Sequence, residues 1–336
     1  MWSNFLFALN AIAPILLYMA LGYFLGQLYI KDDAFWKKLN GLVFRVFLSV
    51  LLFVNVYDIK SFTDINFPAL GLIVVVILLL IGLGALATLF VKNRGQKSAT
   101  WQVTYRSNYA VVGIPLSESI GGASAVNFAS LVSAVSIPIY NVFTVCMLSY
   151  YAQDKEHKGK LGSTVKAVLT NPLILGVLAG VLALAIRAAL PTDADGLPIF
   201  SLKHDLAPVY GVLSAIAKAS SPLALIVLGA RFDFKALRHS IGILSYGTVL
   251  RIVIAPIVAL SVGILADVLG IVEVGAAQYA TLVAIGGTPV AISSATMVGE
   301  IGGDESLATA LVASTSLFSM LTLTVIITAL RSFGLA

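Results

Sequence analysis

Along this chain, apolar stretches of roughly twenty to twenty-five residues alternate with short polar connections from one end to the other. Ten stretches are predicted as membrane-spanning helices: 5–29, 39–57, 68–91, 99–121, 125–151, 170–190, 212–230, 240–266, 275–299 and 306–330. At about 1.5 Å of rise per residue, such lengths match a hydrocarbon core roughly 30 Å thick. The longest polar connections, near 155–168 and 191–210, are too short to form a soluble domain. The first stretch lacks a basic leader and runs to full spanning length, so a retained span is expected rather than a cleaved signal.

Composition agrees with that pattern. Of 336 residues, 59% are apolar and 11% charged, whereas soluble domains average about half and a quarter. A soluble enzyme, a nucleic-acid module and a disordered chain are excluded. The net charge of +5 is a topology signal rather than a binding patch. The connections after stretches 1, 3, 5 and 7 hold Lys31, Lys37, Lys38, Lys92, Arg94, Lys97, Lys155, Lys158, Lys160, Lys166, Arg231, Lys235 and Arg238. The other side holds only Lys60, Arg187, Lys203 and Arg331. By the positive-inside rule both termini are expected outside; the expected location is the cell membrane, the inner membrane of a bacterium, with the chain multi-pass. His157, His204 and His239 are well separated in polar connections, and Cys146 stands alone in an apolar run, where it is expected to behave as a small hydrophobe. No metal site or cofactor is expected.

The stretches fall into two sets of five, 1–154 and 155–336, with local matches in the same order. Asn10-Ala-Ile-Ala-Pro14 is followed by Gly22, and Asn171-Pro172 by Gly180, with the glycine eight residues after the proline in both. Leu131–Ser136 and Leu311–Ser316 follow Gly121-Gly122 and Gly302-Gly303, and Ser49 and Ser221 begin similar runs. With five spans per set, the second must enter the membrane inverted, the plan of many secondary transporters.

Stretches 4 and 9 hold corresponding places and are both interrupted, by Ser107-Asn108…Gly113-Ile114-Pro115 and by Gly286-Gly287-Thr288-Pro289…Ser293-Ser294. Glycine and proline there loosen the helix and free backbone groups at mid-membrane depth, tolerable only against protein or a wet cavity. Half-helix N-termini at such breaks favour a carboxylate. A packing kink explains one such helix readily, and a matched pair less well.

These residues carry a family resemblance. Asn10-Ala-x-x-Pro14 with Gly22, Leu39-Asn40-x-Leu42-Val43-Phe44, Asn108-x4-Gly113-Ile114-Pro115, Asn171-Pro172, Ser221-Pro222-Leu223-Ala224-Leu225-x-x-Leu228-Gly229 and Pro289-Val290-Ala291 with Glu300 run through essentially the whole chain. The chain resembles the auxin efflux carrier family, which includes plant PIN-type auxin carriers and bacterial permeases for malonate-like acids. The resemblance implies an all-α membrane fold of ten transmembrane helices in two inverted five-helix repeats, with helices 4 and 9 broken and crossing. Helices 1, 2, 6 and 7 would form a scaffold, and helices 3–5 and 8–10 a moving core. It implies a secondary transporter of small organic anions, not an enzyme, and a homodimer. Asn108 would face the substrate, with Gly113, Ile114, Pro115, Thr288, Pro289, Ser293 and Ser294 around it. One position departs from the family pattern: Ser293 stands where many bacterial relatives have Asn.

Ionisable groups inside spans are functional candidates by default. Arg106 is a candidate substrate contact, and Arg251 is expected to pair structurally within the core. Arg45 and Lys218 occupy roughly equivalent places in the two sets, either drawing in an anion or snorkelling to the interface. Glu118, three residues after Pro115, is the candidate for proton coupling, with a solvated acid at a helix end as its plainer role. A sodium-coupled symporter of the bile-acid type is the neighbouring alternative, so the coupling ion, proton or sodium, stays open. An intramembrane aspartyl protease built on Asp58 and Asp304 is remote, because the charge bias puts them on opposite sides of the membrane.

Overall fold

The computed structural model describes residues 2–59, 65–151, 170–191, 199–232, 241–300 and 303–335. Lys60, Lys155, Lys158, Lys160, Lys166, Lys235 and Arg238, counted above for orientation, lie outside those residues, as do His157, His239 and Gly302. The described residues are almost wholly helical: α1 (Trp2–Tyr29), α2 (Asp33–Tyr57), α3 (Phe67–Phe90), α4 (Arg94–Tyr105), α5 (Ile114–Tyr151), α6 (Pro172–Ala189), α7 (Ala207–Ala230), α8 (Ile241–Val268), α9 (Ala276–Gly287), α10 (Ser293–Glu300) and α11 (Glu305–Ser332). A π-helical turn, Tyr109–Gly113, leads into α5.

Eight of these helices are long and apolar enough to cross a membrane. The exceptions are α4, α9 and α10, which come from the stretches predicted as spans 4 and 9. Twelve residues rise only about 18 Å, short of the hydrocarbon core, so each of these stretches is broken as its glycine and proline content suggested. α5 contains a sharp turn at Gly122, where φ is 65° and ψ −152°. That left-handed backbone suits glycine, and it separates the 109–121 segment from the rest of α5.

The helix starts have local causes. Asp32 caps α2 by accepting from the Ala34 N–H, so α2 begins six residues before the apolar stretch that announced it. Asn93 caps α4, and Asn66 caps α3 ahead of Pro68. The Asn171-Pro172 pair is the cap and first turn of α6.

Packing between helices follows the small residues. α1 lies on α7, and α2 lies on α6 and α7. A Cβ at Gly22 would overlap the Ile226 backbone, and one at Gly229 the Met19 backbone. On α6, a Cβ at Gly176 would overlap the Ser49 carbonyl oxygen, and one at Gly180 would lie 2.9 Å from the Phe53 carbonyl oxygen. Such close backbone approach is how membrane helices associate without a hydrophobic driving force. A second set packs around α9, which contacts α5 and α8, while α3 contacts α4 and α10 contacts α11. Cys146 is exposed on α5, in contrast to the buried hydrophobe expected.

Candidate functional site

The two breaks meet. Ser107 and Val290 form an isolated antiparallel bridge. The Asn108 N–H donates to the Pro289 carbonyl at 2.8 Å, and the Ala291 N–H donates to the Arg106 carbonyl at 2.9 Å. Backbone freed by each break is therefore satisfied largely by the other, as a buried non-helical segment requires. Side chains complete the junction. The Ser107 and Thr288 hydroxyls lie 3.1 Å apart, and Thr315 of α11 accepts from the Val290 N–H at 3.1 Å.

Arg251, on a π-helical turn of α8, is fully buried against this junction. Its guanidinium donates to three carbonyls: Thr288 from Nε at 2.6 Å, Thr104 from Nη1 at 2.9 Å and Ile285 from Nη2 at 2.7 Å. Thr104 ends α4, and Ile285 and Thr288 end α9. One cation thus serves orphan carbonyls, and opposes the negative dipole ends, of two half-helices at once. The N-terminal ends of the 109–121 segment and of α10 keep their positive ends at the same junction. This is the structural pairing expected of Arg251, but its partners are backbone oxygens rather than a carboxylate.

Arg106 is also buried, 4% exposed. It donates to Thr144 at 2.7 Å, to Asn141 at 3.3 Å and to Ser293 at 3.2 Å. Neutral acceptors from α5 and α10 hold it, with no carboxylate among the described residues within ion-pair reach. Asn141 and Thr144 were not singled out from sequence, although their i, i+3 spacing puts both on one face of α5. Buried polar atoms without a hydrogen-bond partner include Asn108 Nδ2, Arg106 Nε and the hydroxyls of Ser136, Ser294 and Ser316. Unpaired buried groups call for a bound partner such as water, an ion or a ligand.

A separate cavity of about 920 Å³ lies between α1, α2 and α7 on one wall and α5 on the other. Pro14, Asn55, Lys218 and Pro222 line it from one wall and Pro115, Glu118 and Asn127 from the other, and Asp58 and Lys203 line it as well. Of the residues predicted for the site, Pro115 and Glu118 line this cavity. Asn108, Arg106, Gly113, Ile114, Thr288, Pro289, Ser293 and Ser294 do not line it; they belong to the junction. Gly113 packs there with its Cβ position 3.3 Å from the Ala284 methyl. The Tyr210 hydroxyl donates to the Asp58 carboxylate, 2.8 and 2.9 Å from its two oxygens, and Asp58 pairs with Lys203 at 2.9 Å. Burial disfavours the Lys203 charge, but the hydrogen bond and charge of Asp58 outweigh it and raise its pKa above the ordinary lysine value. Asp304 caps α11 at the Leu307 N–H.

Residues 7–327 match the family model described as "Membrane transport protein", which is that of the auxin efflux carriers. The chain belongs to the auxin efflux carrier family. It is also 26% identical over 269 residues to an uncharacterized transporter of Methanothermobacter thermautotrophicus, covering 76% of this chain and 78% of the relative. This auxin efflux carrier family member is accordingly a multi-pass membrane transport protein.

Proposed function

We propose that this family member is a secondary active transporter of small organic anions, carboxylates of the malonate- or auxin-like kind, working by alternating access. The observation that carries the reading is the hydrogen-bonded junction of the two breaks. Arg251 neutralises the half-helix C-termini there, so the field left for a ligand is that of the N-termini, which favours a carboxylate. Asn108, whose side-chain amide has a spare donor, is the leading contact, with Arg106, Gly113–Pro115, Thr288, Pro289, Ser293 and Ser294 around it. Glu118 is the coupling candidate.

Packing supports ten helices in two inverted sets of five. If α1 corresponds to α6 and α2 to α7, the α1–α7 contact maps onto the α6–α2 contact. The predicted glycines Gly22 and Gly180 both lie at those close approaches. In this reading α1, α2, α6 and α7 form the scaffold, and the junction with its neighbours forms the core that moves against it. The cavity lined by Asp58 and Lys203 is the extracytoplasmic vestibule, and both termini lie on that side.

The test is uptake of labelled mono- and dicarboxylates into proteoliposomes, under proton and sodium gradients, with Asn108→Ala as the comparison. At least one acid should enter by way of the native protein and be lost in the variant. Normal transport by Asn108→Ala would remove the proposed site.

A further inference from the structure

Lys218 occupies the middle of α7, twelve residues into a helix of twenty-four. A cation at that depth is costly unless water or a partner reaches it. It is exposed, it lines the 920 Å³ cavity, and among the described residues no ion pair engages it. Ser214 and Ser221, at i−4 and i+3 on the same helical face, line the cavity beside it. Glu118 on α5 faces the same space, also exposed and without an ion-pair partner among the described residues. The titratable groups on the wall are Tyr18 from α1, Asp58 from α2, Glu118 from α5, Lys203 from the connection before α7, and Lys218. α9 contributes Gln278 and no charge. Asp58 and Lys203 neutralise each other at 2.9 Å, which leaves Lys218 and Glu118 as the uncommitted charges among the described residues that line the cavity.

We propose that Lys218 is the first dock for the substrate carboxylate in this cavity, ahead of the junction at Asn108, and that Glu118 takes up one proton with each singly charged anion, making the pair an electroneutral anion–proton symport site. The inference rests on the reading of the protein as an organic-anion carrier. Charge balance is the physical reason. Without substrate, Lys218 and an ionised Glu118 sum to zero. A bound monoanion on Lys218 leaves Glu118 as an uncompensated negative charge, and closing the cavity would desolvate it. A proton from the vestibule water on the Glu118 carboxylate restores neutrality, and the same proton leaves when the anion leaves. Lys218 lies on a helix packed against α1 and α2, and Glu118 on one packed against α9. Movement of one set against the other therefore changes the distance between the two charges. Arg45, the sequence counterpart of Lys218, is exposed at the midpoint of α2 and does not line this cavity.

The test uses the full-length protein in proteoliposomes loaded with a pH-sensitive dye. Labelled indole-3-acetate, monomethyl malonate and malonate are the probes, with protein-free vesicles subtracted. Uptake of the singly charged acids should acidify the lumen and ignore an imposed potassium–valinomycin voltage, whereas doubly charged malonate should respond to it. Lys218→Gln should lower uptake about tenfold or more while Lys218→Arg retains most of it. Glu118→Gln should lose dye acidification and become voltage-sensitive for monoanions, yet still exchange internal for external anion. Full uptake by Lys218→Gln, or unchanged acidification by Glu118→Gln, overturns the inference and leaves the carrier reading standing. Failure of every probe acid to enter wild-type vesicles overturns both.

Discussion

The Asn108 backbone N–H donates to the Pro289 carbonyl at 2.8 Å, joining residues 181 positions apart in the chain. The bond uses the main chain of Asn108 and leaves its side-chain Nδ2 buried and unpaired. Under the proposed function, structural and ligand-binding duties are divided within one residue. Asn108→Ala keeps the bond and removes a side chain whose Nδ2 is unsatisfied, so thermal stability should change little. Transport should fall about tenfold or more. Paired melting and uptake measurements check this, and a large loss of melting temperature would contradict the division.

Arg251 makes the opposite case. Replacing it with Met would strand three buried carbonyls, at Thr104, Ile285 and Thr288. The expected loss of stability is about 3 kcal/mol or more, in line with breaking other buried charge networks. Arg251→Lys should recover only part of it, because one ammonium lacks the fork that reaches two helix ends. Melting of the purified protein in detergent would read both.

Glycine substitutions should separate contact from mere helix content. Gly22→Ala and Gly229→Ala put a Cβ onto the Ile226 and Met19 backbones and should each cost about 1–3 kcal/mol. Gly41→Ala and Gly82→Ala meet nothing within 4 Å and should be neutral or mildly stabilising. A thermal-shift series over these four positions tests the packing of α1 on α7.

Asp58 and Lys203 form a partly exposed pair, with side chains 29% and 43% accessible. Asp58→Asn should cost no more than about 1 kcal/mol, and high salt should shrink the difference. The pKa of Lys203 is raised in the folded protein. Its contribution is then fully present below the ordinary lysine value and lost only as pH climbs through the raised one. Melting temperatures across the neutral range should show no step from this pair.

Local chemistry made much of this protein legible in sequence. Hydropathy and length announced the spans, because a bilayer demands about twenty apolar residues per crossing. Gly113, Pro115, Gly286 and Pro289 announced the interruptions, because those residue types weaken a helix wherever they occur. The spacing from proline to glycine picked out Gly22 and Gly180 before their contacts were visible. Helix starts were placed less well: α2 begins at Asp33 rather than 39, since an exposed Asp32 cap is invisible to hydropathy.

Sequence by itself thus determined a helical membrane protein, the location of its two breaks and its family. Tertiary structure alone decided what those breaks touch. Thr315 reaches Val290, Arg251 gathers carbonyls from α4 and α9, and Arg106 turns to Asn141, Thr144 and Ser293. It also set Lys218 and Glu118 on the lining of one cavity and left Asn108 off that lining. The reason is physical. Apolar run length and helix-breaking residues act within a turn or two of the chain, whereas hydrogen-bond partners and cavity walls come from helices a hundred or more residues apart, whose meeting depends on how all of them pack.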